Sequence, residues 1–142
     1  MALDKEHAYR LIDSTASGRL AQLDAEGQVH AIPFVFVRQG DALYSPVDGK
    51  PKRHAKLSRL AWIKAAPAVT VLLDHYEDDW SRLWWLRIYG DATEIGDNDR
   101  QWDAITRLLG NKYPQYAQTP MFSGTPTMMR ISISRWKHWA AA

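Results

Sequence analysis

The chain of 142 residues contains no cysteine, which excludes disulfide frameworks and thiolate metal sites and makes a reducing cytoplasm the expected home. It has no run approaching ~18 uninterrupted apolar residues, so no membrane-spanning helix is expected. Its opening, MALDKEHAYRLIDS, is charged throughout and lacks the continuous apolar stretch of a secretory signal. A paired-histidine metal helix, a Ser nucleophile elbow and a Gly-rich phosphate loop are all missing. The excess of one charge sign is small, a net +2, too little for a coat that binds nucleic acid. The reading is therefore no metal, no nucleic acid, no membrane, and no assigned catalytic side chain.

What is there is unevenly placed. From Lys50 to Lys64 the chain carries Lys50, Lys52, Arg53, Lys56, Arg59 and Lys64 and no acid. The stretch DDWSRLWWLRIYG, 78–90, holds three of the seven tryptophans, with Arg82 and Arg87 among them. Read with period two, Trp80, Trp84, Leu86 and Ile88 share one face, while Leu83, Trp85 and Tyr89 make the other almost as apolar. Both faces need covering, by core, by a partner subunit or by the flat ring of a ligand.

The length fits one domain, 1–142, able to bury roughly two thirds of its unfolded surface. A helix is expected from about Asp4 to Ser14, with Asp4 as N-cap. The next segment changes period and predicts a three-strand meander at about 18–24, 28–38 and 41–47, with turns at DAEGQ and RQGD. A helix follows from roughly Lys50 to Ala66, ended by Pro67. AVTVLLDHY reads as a buried strand, and LWWLRIYGDATEI as its antiparallel neighbour. NDRQWDAITRLLGNKYP predicts an amphipathic helix stopped by Pro114, before a last strand, MMRISISRWKHW. Six strands clustered beside about three helices give a mainly β, α+β fold, an antiparallel barrel with peripheral helices.

Two segments suggest binding chemistry. Lys50, Lys52 and Arg53 lie at a strand-to-helix junction, where free N–H groups and the helix dipole also favour an anion, although a solvated basic helix face has the same composition. Pro33 in IPFVFV cannot donate to a ladder; it marks a sheet edge, a bulge or a place where another group lies along the backbone. An anion patch beside aromatic strands, with no acid, base or nucleophile constellation, suits a cofactor whose own ring does the chemistry.

The whole arrangement resembles the pyridoxamine-phosphate-oxidase-like split β-barrels that bind flavin or deazaflavin. GRLAQLDAEGQVHAIPFVFV resembles their opening hairpin, LAWIKAAPAVTVLL their helix-to-strand signature, and LWWLRIYGDATEI their Val-Arg-x-x-Gly-x-Ala strand. DALYSPVDGKPKR, DHYEDDWSRLWWLRIYG and the closing RWKHW together are similar to a subgroup dependent on the deazaflavin coenzyme F-420.

The resemblance implies a six-stranded antiparallel split β-barrel, homodimeric, with each cofactor at the subunit interface. It implies that Pro33, Phe34, Val35 and Phe36 run along the ring, and that Ser45, Lys50, Lys52 and Arg53, with Arg59, meet the phosphate. Trp85, beside the Leu86-Arg87 pair, would contact the ring, and Trp139 would close over it. The implied function is an oxidoreductase passing hydride from F-420, or alternatively FMN, to an electron-poor small organic substrate. A non-catalytic flavin- or haem-binding protein is the rival reading. Three positions depart from the family pattern: Trp62 where Asn is common, Ala66 where Asn or Asp is, and Gly49 where the subgroup tends to have Ala.

Overall fold

The computed structural model describes residues 3–47, 53–122 and 124–141, those at 53–57 through their backbone only. Lys50 and Lys52, with Gly49, lie outside the described residues. The first helix, α1 (Lys5–Ser14), starts where Asp4 accepts the His7 N–H at 2.8 Å, and it turns Ala8 and Ile12 into the core. Then come β1 (Gly18–Leu23), β2 (Val29–Phe34), β3 (Val37–Gln39) and β4 (Ala42–Pro46). Helix α2 (Arg53–Ala65) leads to β5 (Ala68–His75), and a 3-10 turn at Trp80–Arg82 leads to β6 (Trp84–Gly96). Helix α3 (Trp102–Lys112) and a 3-10 turn at Pro114–Ala117 precede β7 (Thr127–Ala140).

Among the described residues the sheet has seven strands, in the order β2-β1-β5-β6-β7-β4-β3, every pair antiparallel. The expected strand over 28–38 is thus two strands, on opposite edges of the sheet. Laid flat, those edges would stand six spacings apart, about 29 Å. Only Val35 and Phe36 join Phe34 to Val37, a reach of at most about 11 Å. The sheet must therefore curl until its edges meet, while the ladder stays open along the seam.

Long-range bonds hold that break in place. The Phe36 N–H donates to the Tyr113 hydroxyl at 3.0 Å, and that hydroxyl lies 2.8 Å from the Ala16 carbonyl and 3.0 Å from that of Phe36. Lys112 Nζ donates to the Phe36 carbonyl at 2.9 Å and sits 4.0 Å from the centroid of its ring. With its backbone committed to the end of α3, Phe36 cannot continue the β2 ladder. Burial pushes the Lys112 ammonium down to about 8, against the opposing pull of the Asp13 carboxylate.

The curled sheet encloses one core, in which Leu20, Phe36, Val71, Leu73, Leu86 and Ile88 are buried with Ala8 and Ile12 of α1 and Leu60 and Ile63 of α2. Burying such side chains stabilises by about 1.5–3 kcal/mol each. A second cluster forms where Trp102, Ile105 and Leu109 of α3 meet Val37, Tyr44, Ile95 and Met128. Among the described residues no helix is long and apolar enough to cross a membrane.

Candidate functional site

The tryptophan-rich stretch divides by strand alternation. Leu86 and Ile88 point into the core and Trp84 packs against it, whereas Trp85, Arg87, Tyr89 and Asp91 occupy the other face of β6. Trp80 does not share the Trp84 face as period two implies. It lies in the 3-10 turn before the strand, capped by Asp79, and is 67% exposed.

Register extends the outer face of β6 across its neighbours. Directly paired residues share a face, so one row reads Pro33, Arg19, Leu72, Arg87, Lys137, and the next Ala31, Ala21, Thr70, Tyr89, Arg135. A third row sets Asp74, Trp85 and Trp139 side by side. Rows lie about 6.7 Å apart along a strand and strands about 4.8 Å apart, so Pro33 and Arg87 are separated by about 14 Å. Leu23, Val29, Leu72 and Trp139 leave apolar surface exposed on this one face.

Its charge is mostly positive. Arg87 Nε donates to the Tyr89 hydroxyl at 2.5 Å, and its guanidinium carbon lies 4.9 Å from the centre of the Trp85 ring. Arg135 lies over the Tyr89 ring at 3.9 Å. Among the described residues, Arg19, Arg87, Arg135 and Lys137 take part in no ion pair. Arg19, Arg87 and Lys137, in one row and none neutralised by a neighbouring acid, lie beside the Trp85–Trp139 pair and suit that part of the face to a flat anionic molecule.

The structure therefore brings Trp85, Arg87 and Trp139 together and puts Pro33 on the exposed edge strand of the same face. It separates the others. Phe34 and Phe36 are buried and pack on each other, with ring centres 5.1 Å apart, and the Phe36 backbone is already engaged. Val35 packs against the second core cluster. Ser45 is buried in β4, paired with Met129. Arg53 opens α2, and Arg59 on that helix is half-buried, its carbonyl accepting from Gln22 Nε2 at 3.4 Å.

Trp62 has a packing role within the chain. Its ring stacks on His30 of β2 with centroids 4.4 Å apart, and His30 Nε2 lies 2.8 Å from Asp24 Oδ2. That hydrogen bond holds the Asp24 carboxyl below its ordinary range, while Asp24 also accepts the N–H groups of Glu26 and Gln28. Sequence reading missed Arg19, Arg135 and Lys137. Alternation along RWKHW could have put Arg135 and Lys137 on one face, but their neighbours depend on register. A bulge with Ser134 as the extra residue sets it, since Tyr89 pairs with Arg135 and Gly90 with Ile133.

A curled antiparallel sheet with an unbonded seam, accompanied by three helices, is consistent with the split-barrel class of the flavin-binding pyridoxamine-phosphate-oxidase-like proteins. The chain belongs to the pyridoxamine 5'-phosphate oxidase family, whose model matches residues 4–136. No curated protein matches it. Among solved structures it is similar to HutZ, the haem storage protein of Vibrio cholerae, at 15% identity and TM-score 0.73, covering 99% of this chain and 95% of that one. A FAD-binding protein from Mesorhizobium loti is similar at 19% identity and TM-score 0.71, covering 97% and 95%. A conserved hypothetical protein from Mycobacterium tuberculosis is similar at 14% identity and TM-score 0.78, covering 99% and 87%. At these identities the likeness is one of fold.

Proposed function

We propose that the protein is a homodimeric oxidoreductase that holds a deazaflavin, coenzyme F-420, on the outer sheet face and serves hydride transfer to an electron-poor small organic acceptor. The observation that carries this reading is the Trp85–Trp139 cross-strand pair with Arg87 and Lys137 in the adjoining row, cations that make no ion pair among the described residues. A flavin-type ring is flat and its tail anionic, and the face offers both complements. When bound, the ring supplies the hydride chemistry.

The chain's own residues bind and orient. Trp85 and Trp139, paired across β6 and β7, offer aromatic surface to the ring; Arg87, Lys137 and Arg19 attract the negative groups; Pro33 leaves the edge strand short of one donor where the ring's rim lies. Lys50, Lys52, Arg53 and Arg59 receive the phosphate. A second copy of the chain covers the exposed Leu72 and Trp139 and excludes water from the ring.

FMN is the alternative occupant, since it shares the ribityl phosphate, and the Mesorhizobium loti relative is described as FAD-binding. Parallel calorimetric titrations of the purified protein with F-420 and FMN test the proposal. Tighter binding of F-420 supports it, tighter binding of FMN moves the protein to the flavin branch, and binding of neither rejects the cofactor reading.

A further inference from the structure

Two rows along from Trp85–Trp139, beyond Arg87 and Lys137, the same face sinks into a groove of about 490 Å³, with Ala21, Thr70, Tyr89, Asp91, Ser134 and Arg135 among its lining. That volume is in the range of small-molecule sites, which are mostly apolar with a few convergent polar groups. The β6–β7 register shifts beside the groove, where Ser134 bulges from β7, and Arg135 lies over Tyr89. The charged groups are ordered along β6 and β7. Arg87 and Arg135 converge on Tyr89, one bonded to its hydroxyl and the other over its ring, and Asp91 lies one row further on, away from Trp85.

This order has a chemical meaning. A guanidinium stacked flat on an aromatic ring keeps its N–H groups free along its rim, and its fork geometry matches a carboxylate. An anionic group is attracted to the Arg135 end and repelled from Asp91, while Ala21, Thr70 and the side of the Tyr89 ring meet an apolar body. We infer that the groove is a carboxylate-binding subsite for a small apolar or aromatic molecule, anchored by Arg135 on Tyr89. Only the identification of that molecule as the acceptor rests on the function proposed above, and it narrows the acceptor to one that carries a carboxylate.

The test uses two electron-poor aromatic probes that differ in charge, 4-nitrobenzoate and methyl 4-nitrobenzoate, titrated calorimetrically into the purified protein and into Arg135→Gln and Arg135→Lys. Wild type is expected to bind the carboxylate roughly tenfold more tightly than the ester, a preference that Arg135→Gln abolishes and Arg135→Lys restores in part. In the same Arg135→Gln sample the affinity for FMN or F-420 should stay within about twofold of wild type. Equal binding of the two probes, or a preference that survives Arg135→Gln, overturns the subsite. So does a loss of cofactor affinity as large as the loss of probe affinity, because the groove would then be the cofactor's own anion site. If neither cofactor binds but the probe preference holds and depends on Arg135, the cofactor reading fails and the subsite stands.

Discussion

Gly90 and Ser132 approach so closely across the β6–β7 ladder that a Cβ at Gly90 would sit 2.4 Å from the Ser132 carbonyl oxygen and 2.8 Å from Ile131 Cγ2. The nearer obstacle is backbone in the middle of a sheet and cannot swing aside. Gly90→Ala should therefore destabilise the protein by about 1–3 kcal/mol, lowering Tm by roughly 5–10 °C. Gly110 in α3 supplies the opposite case, because nothing lies within 4 Å of its missing Cβ. Gly110→Ala should stabilise by about 0.5–1 kcal/mol, and thermal melts of the two variants check both signs.

Tyr113→Phe tests what separates β2 from β3. Removing the hydroxyl leaves the buried Phe36 N–H without its acceptor, at a cost of about 1–3 kcal/mol. Urea unfolding should show a lower midpoint with an unchanged slope, since the exposed area on unfolding stays the same.

Lys112 should give a pH signature. Its folded pKa, about 8, lies below the ordinary 10.5, so between those values the unfolded chain binds more protons than the folded one. Its contribution to stability is fully present above the unfolded value and is lost as pH falls through the folded one. The stability of wild type relative to Lys112→Met should thus rise from pH 7.5 to pH 9.5, a range below the raised pKa of the neighbouring Tyr113. Urea midpoints of both proteins at the two pH values provide the check.

Lys52→Ala combined with Arg53→Ala tests the basic segment that leads into α2. Cofactor affinity should fall by about tenfold or more, with little change in Tm. Unchanged affinity in a calorimetric titration would remove this segment from the phosphate site.

Much of the fold was legible where local chemistry decides it. Asp4 reads as a cap and is one, and Pro67 and Pro114 stand just beyond α2 and α3. The alternation in LWWLRIYG separates the core-facing Leu86 and Ile88 from the outward Trp85, Arg87 and Tyr89. The break at Val35-Phe36 was not legible. FVFV, 34–37, is a continuous β-branched and aromatic run, and the group that interrupts it, the Tyr113 hydroxyl, lies 77 positions away from Phe36 in sequence. The resemblance alone places Phe34 and Phe36 along the ring, and local pattern did not show that both side chains are buried. The cation rows needed strand order and the Ser134 bulge, neither of which a local pattern encodes. Trp62 illustrates the reverse: a departure from a family pattern is absorbed by a ring stack on His30.

In the proposed function the Trp85–Trp139 row and Arg87 lie directly against the cofactor. The direct measurement is the dissociation constant of the more tightly bound of F-420 and FMN for wild type, Trp85→Ala and Arg87→Gln, with Tm recorded for each. Both variants should bind at least roughly tenfold more weakly, as expected when a stacking surface or a charge-assisted bond is lost. Affinities equal to wild type in folded variants would contradict the account and put the cofactor elsewhere on the barrel.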